Sequence, residues 1–210
     1  MARSAQVHDL FPTPVQFIEG LLDAQEVTAA HAALGARALN ANLRSAQLSH
    51  SDMIEPGLSP AFDRVAARLL PAVTRFGALL LGDELDWAIK EMWANVLQPG
   101  GHQSLHNHAN CLVSGVVYLT ATQTAARTLF LRGLGGQDFK FGHRNERTAN
   151  SPYNAERWMA PAAEPGDVLL FPSYLLHEVP PNAQGVRVTL AFNAIPARLD
   201  CWGYQVGLTG

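Results

Sequence analysis

The stretch Arg187 to Ala194, RVTLAFNA, commits both faces of one strand. Successive side chains of a strand point to opposite sides, so Arg187, Thr189, Ala191 and Asn193 share one face, and Val188, Leu190 and Phe192 the other. A sheet containing this strand needs a polar cavity on one side and an apolar layer on the other. The chain supplies that layer. Ser59-Pro60 is a helix start, and Phe62, Val65, Leu69, Val73, Phe76 and Leu80 follow at spacings of three and four, which predicts a long amphipathic helix. Pro71 in its middle predicts a kink or a break into two pieces. The helix and the outward apolar face together predict a helix layer on one sheet of a two-sheet barrel.

The rest of the chain fits that plan. LFPTPVQF (Leu10 to Phe17) reads as an edge strand or extended lead-in because of its prolines. Asp23 with Glu26 forms a capping box, and Val27, Ala30, His31 and Leu34 give a helix from Ala24 to about Leu39, with His31 as a packing residue. Residues 40 to 58 read as an irregular connection, with His50 and Asp52 as solvated loop residues. From Leu85 the period becomes alternating: Trp93, Asn95 and Leu97 share one strand face, and the turn Gln98-Pro-Gly-Gly101 follows. Ser114 to Thr120 reads as another strand. The polar segment from about 132 to 160 reads as a flexible lid near a substrate entrance, where His143, Arg144, Arg147, Tyr153 and Trp158 are the candidates for substrate contact, with a solvated-loop role the more common one for each taken singly. Its Gly133-Leu-Gly-Gly136 lacks the context of a phosphate cradle. We expect one domain over 1–210, helical over about 20–82, with the β-barrel core over about 85–196.

Three histidines are placed for a metal. In HNH, His106 and His108 project to one face of an extended strand, while Asn107 faces away. YLLHEV then places Leu175, His177 and Val179 on one strand face and Glu178 on the other. Three imidazoles on inward positions leave metal sites open for exchangeable partners. Arg187, across a turn from His177, reaches the same cavity, and its planar donor fork suits a carboxylate. The alternative for Arg187 is a salt bridge to a neighbouring acid. Asp167 stands at a turn as a remote alternative ligand, and His102 as a supporting or surface residue. Cys111 and Cys201, without a CxxC partner, read as structural residues and not as a zinc site.

These segments resemble the Fe(II)- and 2-oxoglutarate-dependent oxygenases, and among them a bacterial group with an HxH, SGVYYL and FPSxLxH signature. The matching residues are HNH (106–108), SGVVYL (114–119), GDVLLFPSYLLHEVPP (166–181) and RVTLAFN (187–193), in the family's order and spacing over about residues 93–195. The resemblance implies a mainly β fold with flanking helices, the double-stranded β-helix. This is a jelly-roll, cupin-like barrel with the N-terminal helices packed on one sheet. It implies Fe(II) at His106, His108 and His177, and 2-oxoglutarate as cosubstrate. Arg187 then takes the remote carboxylate, Tyr118 donates its hydroxyl to it, and Asn95 and Asn193 face the same cavity as further cosubstrate contacts. The implied reaction couples oxidative decarboxylation to succinate with hydroxylation of a substrate C–H bond. His108 stands where the wider family has Asp or Glu, which leaves the metal centre one unit more positive.

Two other readings share these residues: a cupin-type three-histidine metal enzyme that does not use 2-oxoglutarate, and a non-catalytic barrel that binds a small acid. Fifteen Lys and Arg against eighteen Asp and Glu give a net charge of −3, without the basic field that nucleic-acid binding calls for. No apolar run is long enough to span a bilayer. We therefore expect a small-molecule or peptide substrate, and neither a nucleic acid nor a membrane as partner. The start MARSAQVHDLFPTP and the two cysteines point to the cytoplasm.

Overall fold

Local sequence determines where the two helices begin and end. The computed structural model describes residues 4–35, 37–122, 124–133 and 145–208. In helix α1 (Ala24–Gly35), Asp23 Oδ1 accepts from the backbone N–H groups of Gln25 and Glu26, and Glu26 reaches back to accept from Asp23 N–H. This is the reciprocal capping box. Helix α2 (Pro60–Leu81) has Ser59 accepting from Ala61 N–H at its start, and Gly82 at φ 74° donating to Ala78 O at its end. Gly82 takes the left-handed conformation that other residues avoid.

Two expectations about the helices are corrected. α1 stops at Gly35 and not at Leu39, because Arg37 N–H turns back to Leu34 O and the chain leaves as a strand. α2 does not break into two pieces at Pro71 but runs on as one helix. Pro71 and Ala67, whose carbonyl loses its partner, are both exposed, so the missing hydrogen bond falls on the wet side. His31 also faces solvent and is not a packing residue.

Thirteen strands follow in chain order: β1 (Gln16–Ile18), β2 (Leu39–Ala41), β3 (Leu48–Ser51), β4 (Trp87–Leu97), β5 (Gln103–His106), β6 (Val113–Tyr118), β7 (Leu129–Leu131), β8 (Arg157–Met159), β9 (Val168–Pro172), β10 (His177–Val179), β11 (Arg187–Pro196), β12 (Arg198–Cys201) and β13 (Tyr204–Gly207). A seven-stranded sheet runs β1-β9-β6-β11-β4-β3-β2, and a four-stranded sheet runs β5-β10-β7-β8. These two sheets form the jelly roll. The stretch from 40 to 58, expected to be irregular, instead contributes to β2 and β3 at one edge of the large sheet, and β1 is the opposite edge.

The two faces of the large sheet separate as the alternation of β11 requires. Val188, Leu190, Phe192 and Ala194 join Met92, Ala94 and Val96 in one core with Phe62, Val65, Leu69, Val73 and Phe76 of α2. On the other side, Tyr118, Phe130, Leu169 and Phe171 form a second cluster between the sheets. Among the described residues no helix is long and apolar enough to cross a membrane.

Candidate metal and cosubstrate site

Pairing of β5 with β10 brings the first and last histidines together, since His106 and His177 are direct register partners. His108 lies just beyond the end of β5, so HNH is not wholly on a strand as expected. The turn from Ser173 to Leu175 likewise precedes β10, where a continuous strand was expected. His108 N–H donates to Ser173 O at 3.0 Å, which holds the segment over the same opening. The ring centroids are 4.2 Å apart for His106 and His177, 5.1 Å for His108 and His177, and 5.3 Å for His106 and His108. One nitrogen of each lies within 4.8 Å of the others. Among the described residues this is the group of candidate ligands that can hold a metal ion.

Hydrogen bonds choose the tautomers. His106 Nδ1 lies 2.8 Å from Ser104 O, and His177 Nδ1 lies 2.9 Å from Leu175 O. A carbonyl only accepts, so each Nδ1 carries the proton and each Nε2 keeps its lone pair. His108 Nδ1 lies 2.7 Å from Asn193 Oδ1. That amide is itself oriented, because its Nδ2 donates to the Glu91 carboxylate at 2.7 Å and its oxygen must therefore face His108. All three rings thus present Nε2 as a donor to a metal. Burial pushes all three pKa values below the usual histidine range, that of His177 to about 3. Neutral imidazoles are the form that ligates.

The apolar frame links this group to Arg187. The His177 ring lies 4.7 Å from Phe171 and 6.0 Å from Phe130, both in the cluster that holds Tyr118. The Arg187 guanidinium carbon stands 5.4 Å over the Tyr118 ring, a cation–π arrangement. Arg187 is 4% exposed, and its Nε has no hydrogen-bond partner. Among the described residues the ion pairs that form lie elsewhere, Arg68 with Glu26 and Arg198 with Asp200. The salt-bridge alternative for Arg187 therefore finds no acid among the described residues. Burial lowers the Arg187 pKa, with the nearby Tyr118 acting against it. A buried cation without a counter-charge is costly, and a bound anion removes that cost.

The remaining predicted residues fall as follows. The Tyr118 hydroxyl lies 3.3 Å from Thr128 Oγ1, and both residues are buried. Thr128 was missed, having no motif around it. Asn95 is buried on β4, between Thr189 and His50 in register. Asn193 commits its amide to His108, Ser114 and Glu91, behind the His108 ring. Glu91 and Ser114 were also missed, since only strand register shows them beside Asn193. Asp167 accepts from Gly20 N–H and Glu164 N–H, so it fastens a turn. Arg147 is exposed, Tyr153 donates to Asp9 at 2.7 Å, and half-exposed Trp158 lies 5.9 Å from Phe130. His143 and Arg144 lie outside the described residues.

Residues 91–193 match the family model described as "Putative 2OG-Fe(II) oxygenase". No curated protein matches the chain. Among solved structures the fold is similar to that of HygX from Streptomyces hygroscopicus with nickel and 2-oxoglutarate bound, at TM-score 0.64 and 19% identity over 88% of this chain and 83% of that one. HygX has also been solved with hygromycin B bound. The non-heme alpha ketoglutarate dependent epimerase SnoN from nogalamycin biosynthesis is similar at TM-score 0.64 and 16% identity, over 89% and 80% of the chains. A prolyl-4-hydroxylase from Pseudomonas putida is similar at TM-score 0.58 and 22% identity, over 88% and 95%. The matched segment runs from the middle of β4 to Asn193 of β11 and takes in all three histidines and Arg187, and this segment accordingly belongs to the 2OG-Fe(II) oxygenases.

Proposed function

We propose that His106, His108 and His177 hold Fe(II) through their Nε2 atoms, and that Arg187, with Tyr118 beside it and Thr128 against the Tyr118 hydroxyl, takes the far carboxylate of 2-oxoglutarate. The observation that carries this reading is the shared tautomer: each Nδ1 has an acceptor, so each Nε2 keeps its lone pair, that of His106 lying 3.3 Å from the Gln103 amide nitrogen, and the three rings meet within metal-binding distance. The donor set fits iron, for which imidazole is a suitable ligand. The unpartnered Nε of buried Arg187 fits an anion. When bound, Fe(II) and 2-oxoglutarate supply oxygen activation coupled to decarboxylation, and the protein supplies position and a dry site.

Phe130 and Phe171 exclude water between the metal site and the cosubstrate anchor. Asn193 holds His108 in place and is read as a positioning residue, which leaves Asn95 as the asparagine for cosubstrate contact. The helical part and the barrel share one core and act as one domain. The substrate is proposed to be a small molecule, as hygromycin B is in the HygX structure, and the cytoplasm is the proposed compartment. Anaerobic titration with Fe(II) and then 2-oxoglutarate should show two sequential binding events, and oxygen should then release succinate. A protein that binds metal but neither binds 2-oxoglutarate nor forms succinate would instead be a three-histidine enzyme or binding barrel of another kind.

A further inference from the structure

A carboxylate stands two hydrogen bonds behind His108, the position at which the resemblance puts Asp or Glu in the wider family. Glu91 on β4, Asn193 on β11 and Ser114 on β6 are direct register partners across three adjacent strands. The Glu91 carboxylate accepts from Asn193 Nδ2 at 2.7 Å. Asn193 Oδ1 accepts in turn from His108 Nδ1–H at 2.7 Å and from the Ser114 hydroxyl at 2.8 Å. Asn193 is 4% and Ser114 0% exposed while Glu91 is half-buried, so the row runs from the edge of solvent to the back of the His108 ring on the polar face of the sheet. The His108 ring also lies 5.8 Å from Trp93 and 6.3 Å from Phe171.

We propose that Glu91, acting through Asn193, gives His108 the negative charge that a ligating carboxylate would bring to the metal directly. An amide that donates to an anion is polarised, and its oxygen becomes a stronger acceptor for the imidazole N–H. The ring is then the better electron donor at Nε2, as a histidine backed by a carboxylate is in other metal sites. Glu91 and Asn193 are positioning residues that set both the angle of His108 and the charge felt by the ion. The inference rests on the three-histidine reading above.

Glu91→Gln preserves an acceptor for Asn193 while removing the charge. In chelator-competition titrations of the full chain with Fe(II), it should weaken binding by about tenfold, the lower end for loss of a ligand-supporting carboxylate. The Fe(III)/Fe(II) midpoint potential should rise, which a merely structural role would not produce. Asn193→Ala should weaken binding similarly, and adding Glu91→Gln to it should cost nothing more, because the relay is already cut. Unchanged affinity and potential in Glu91→Gln, or losses that simply add in the double variant, would overturn the relay. His108→Ala separates the two readings: loss of metal binding there, with Glu91→Gln silent, removes the relay alone, whereas wild-type affinity in His108→Ala removes the three-histidine site and the relay with it. Thermal unfolding of each metal-free variant checks folding, and if Asn193→Ala does not fold, the potential of Glu91→Gln decides.

Discussion

Arg187 concentrates the cosubstrate question in one side chain. Its guanidinium is buried over Tyr118, with Nε unpartnered and no acid paired to it among the described residues. Arg187→Lys keeps the charge but loses the planar fork, because an ammonium is a point charge on a flexible stem. Losing one charge-assisted hydrogen bond, worth about 1.5–3 kcal/mol, raises a Kd by about ten- to a hundredfold. 2-Oxoglutarate binding to the Fe(II)-loaded protein should weaken by that factor, while Fe(II) binding without 2-oxoglutarate stays at the wild-type value. Equal losses for both would place Arg187 in structural support of the metal site and not at the cosubstrate. Arg187 was legible from sequence because parity and its distance from His177 suffice to put it in the cavity. Asn193 was legible only to the extent that it points inward. What it touches depends on register with β4 and β6, from residues far apart in the chain, and local pattern does not encode that.

Helix α2 is seated on the sheet by a contact at Gly77. A Cβ built there would overlap the indole of Trp87, the first residue of β4. Gly77→Ala must therefore lift the helix or turn the indole, an overpacking that costs about 1–3 kcal/mol. Removing the cap with Ser59→Ala should cost about 1 kcal/mol without disturbing that seat. Denaturant unfolding should show both losses. Fe(II) affinity should be unaffected by either, because the metal site occupies the opposite face of the sheet. A drop in affinity for Gly77→Ala would mean that helix and metal site are mechanically coupled. At this scale the strong periodicities of α2, β4, β6 and β11 were readable. β2 and β3 were not: LNA and LSHS are too short to carry a period of their own, and they become strands because β3 adds to the edge of β4 and β2 then adds to β3. β10 was read as too long because the hydrophobic run before His177 forms a turn over the site.

At the scale of the whole molecule, the jelly roll gathers His106 from the end of β5, His108 from just beyond it and His177 from the start of β10 into a cluster in which His177 is buried and the other two are half-buried, and this has a cost that depends on pH. Unfolded, each histidine titrates near 6.5; folded, all three are lowered, chiefly by burial, and His177 falls to about 3 with His106 and His108 adding repulsion. Between those values the unfolded chain binds more protons than the folded one, so stability rises with pH and falls on acidification. Neutral burial of His177 is therefore free well above 6.5 and becomes progressively more destabilising down to about 3, where the folded state begins to protonate as well. Bound metal opposes this by holding the deprotonated form, and ligand at a hundred times its Kd adds about 2.7 kcal/mol to stability. The Tm of chelator-treated protein should therefore fall more steeply between about pH 7.5 and 5 than that of His177→Gln, which lacks the shifted group. Fe(II) or a stable divalent substitute should raise the wild-type Tm most at the upper end of that range, where protons do not compete for Nε2. Parallel slopes for wild type and His177→Gln would show that His177 is not held neutral by the fold, and would remove the electrostatic part of the case for it as a ligand.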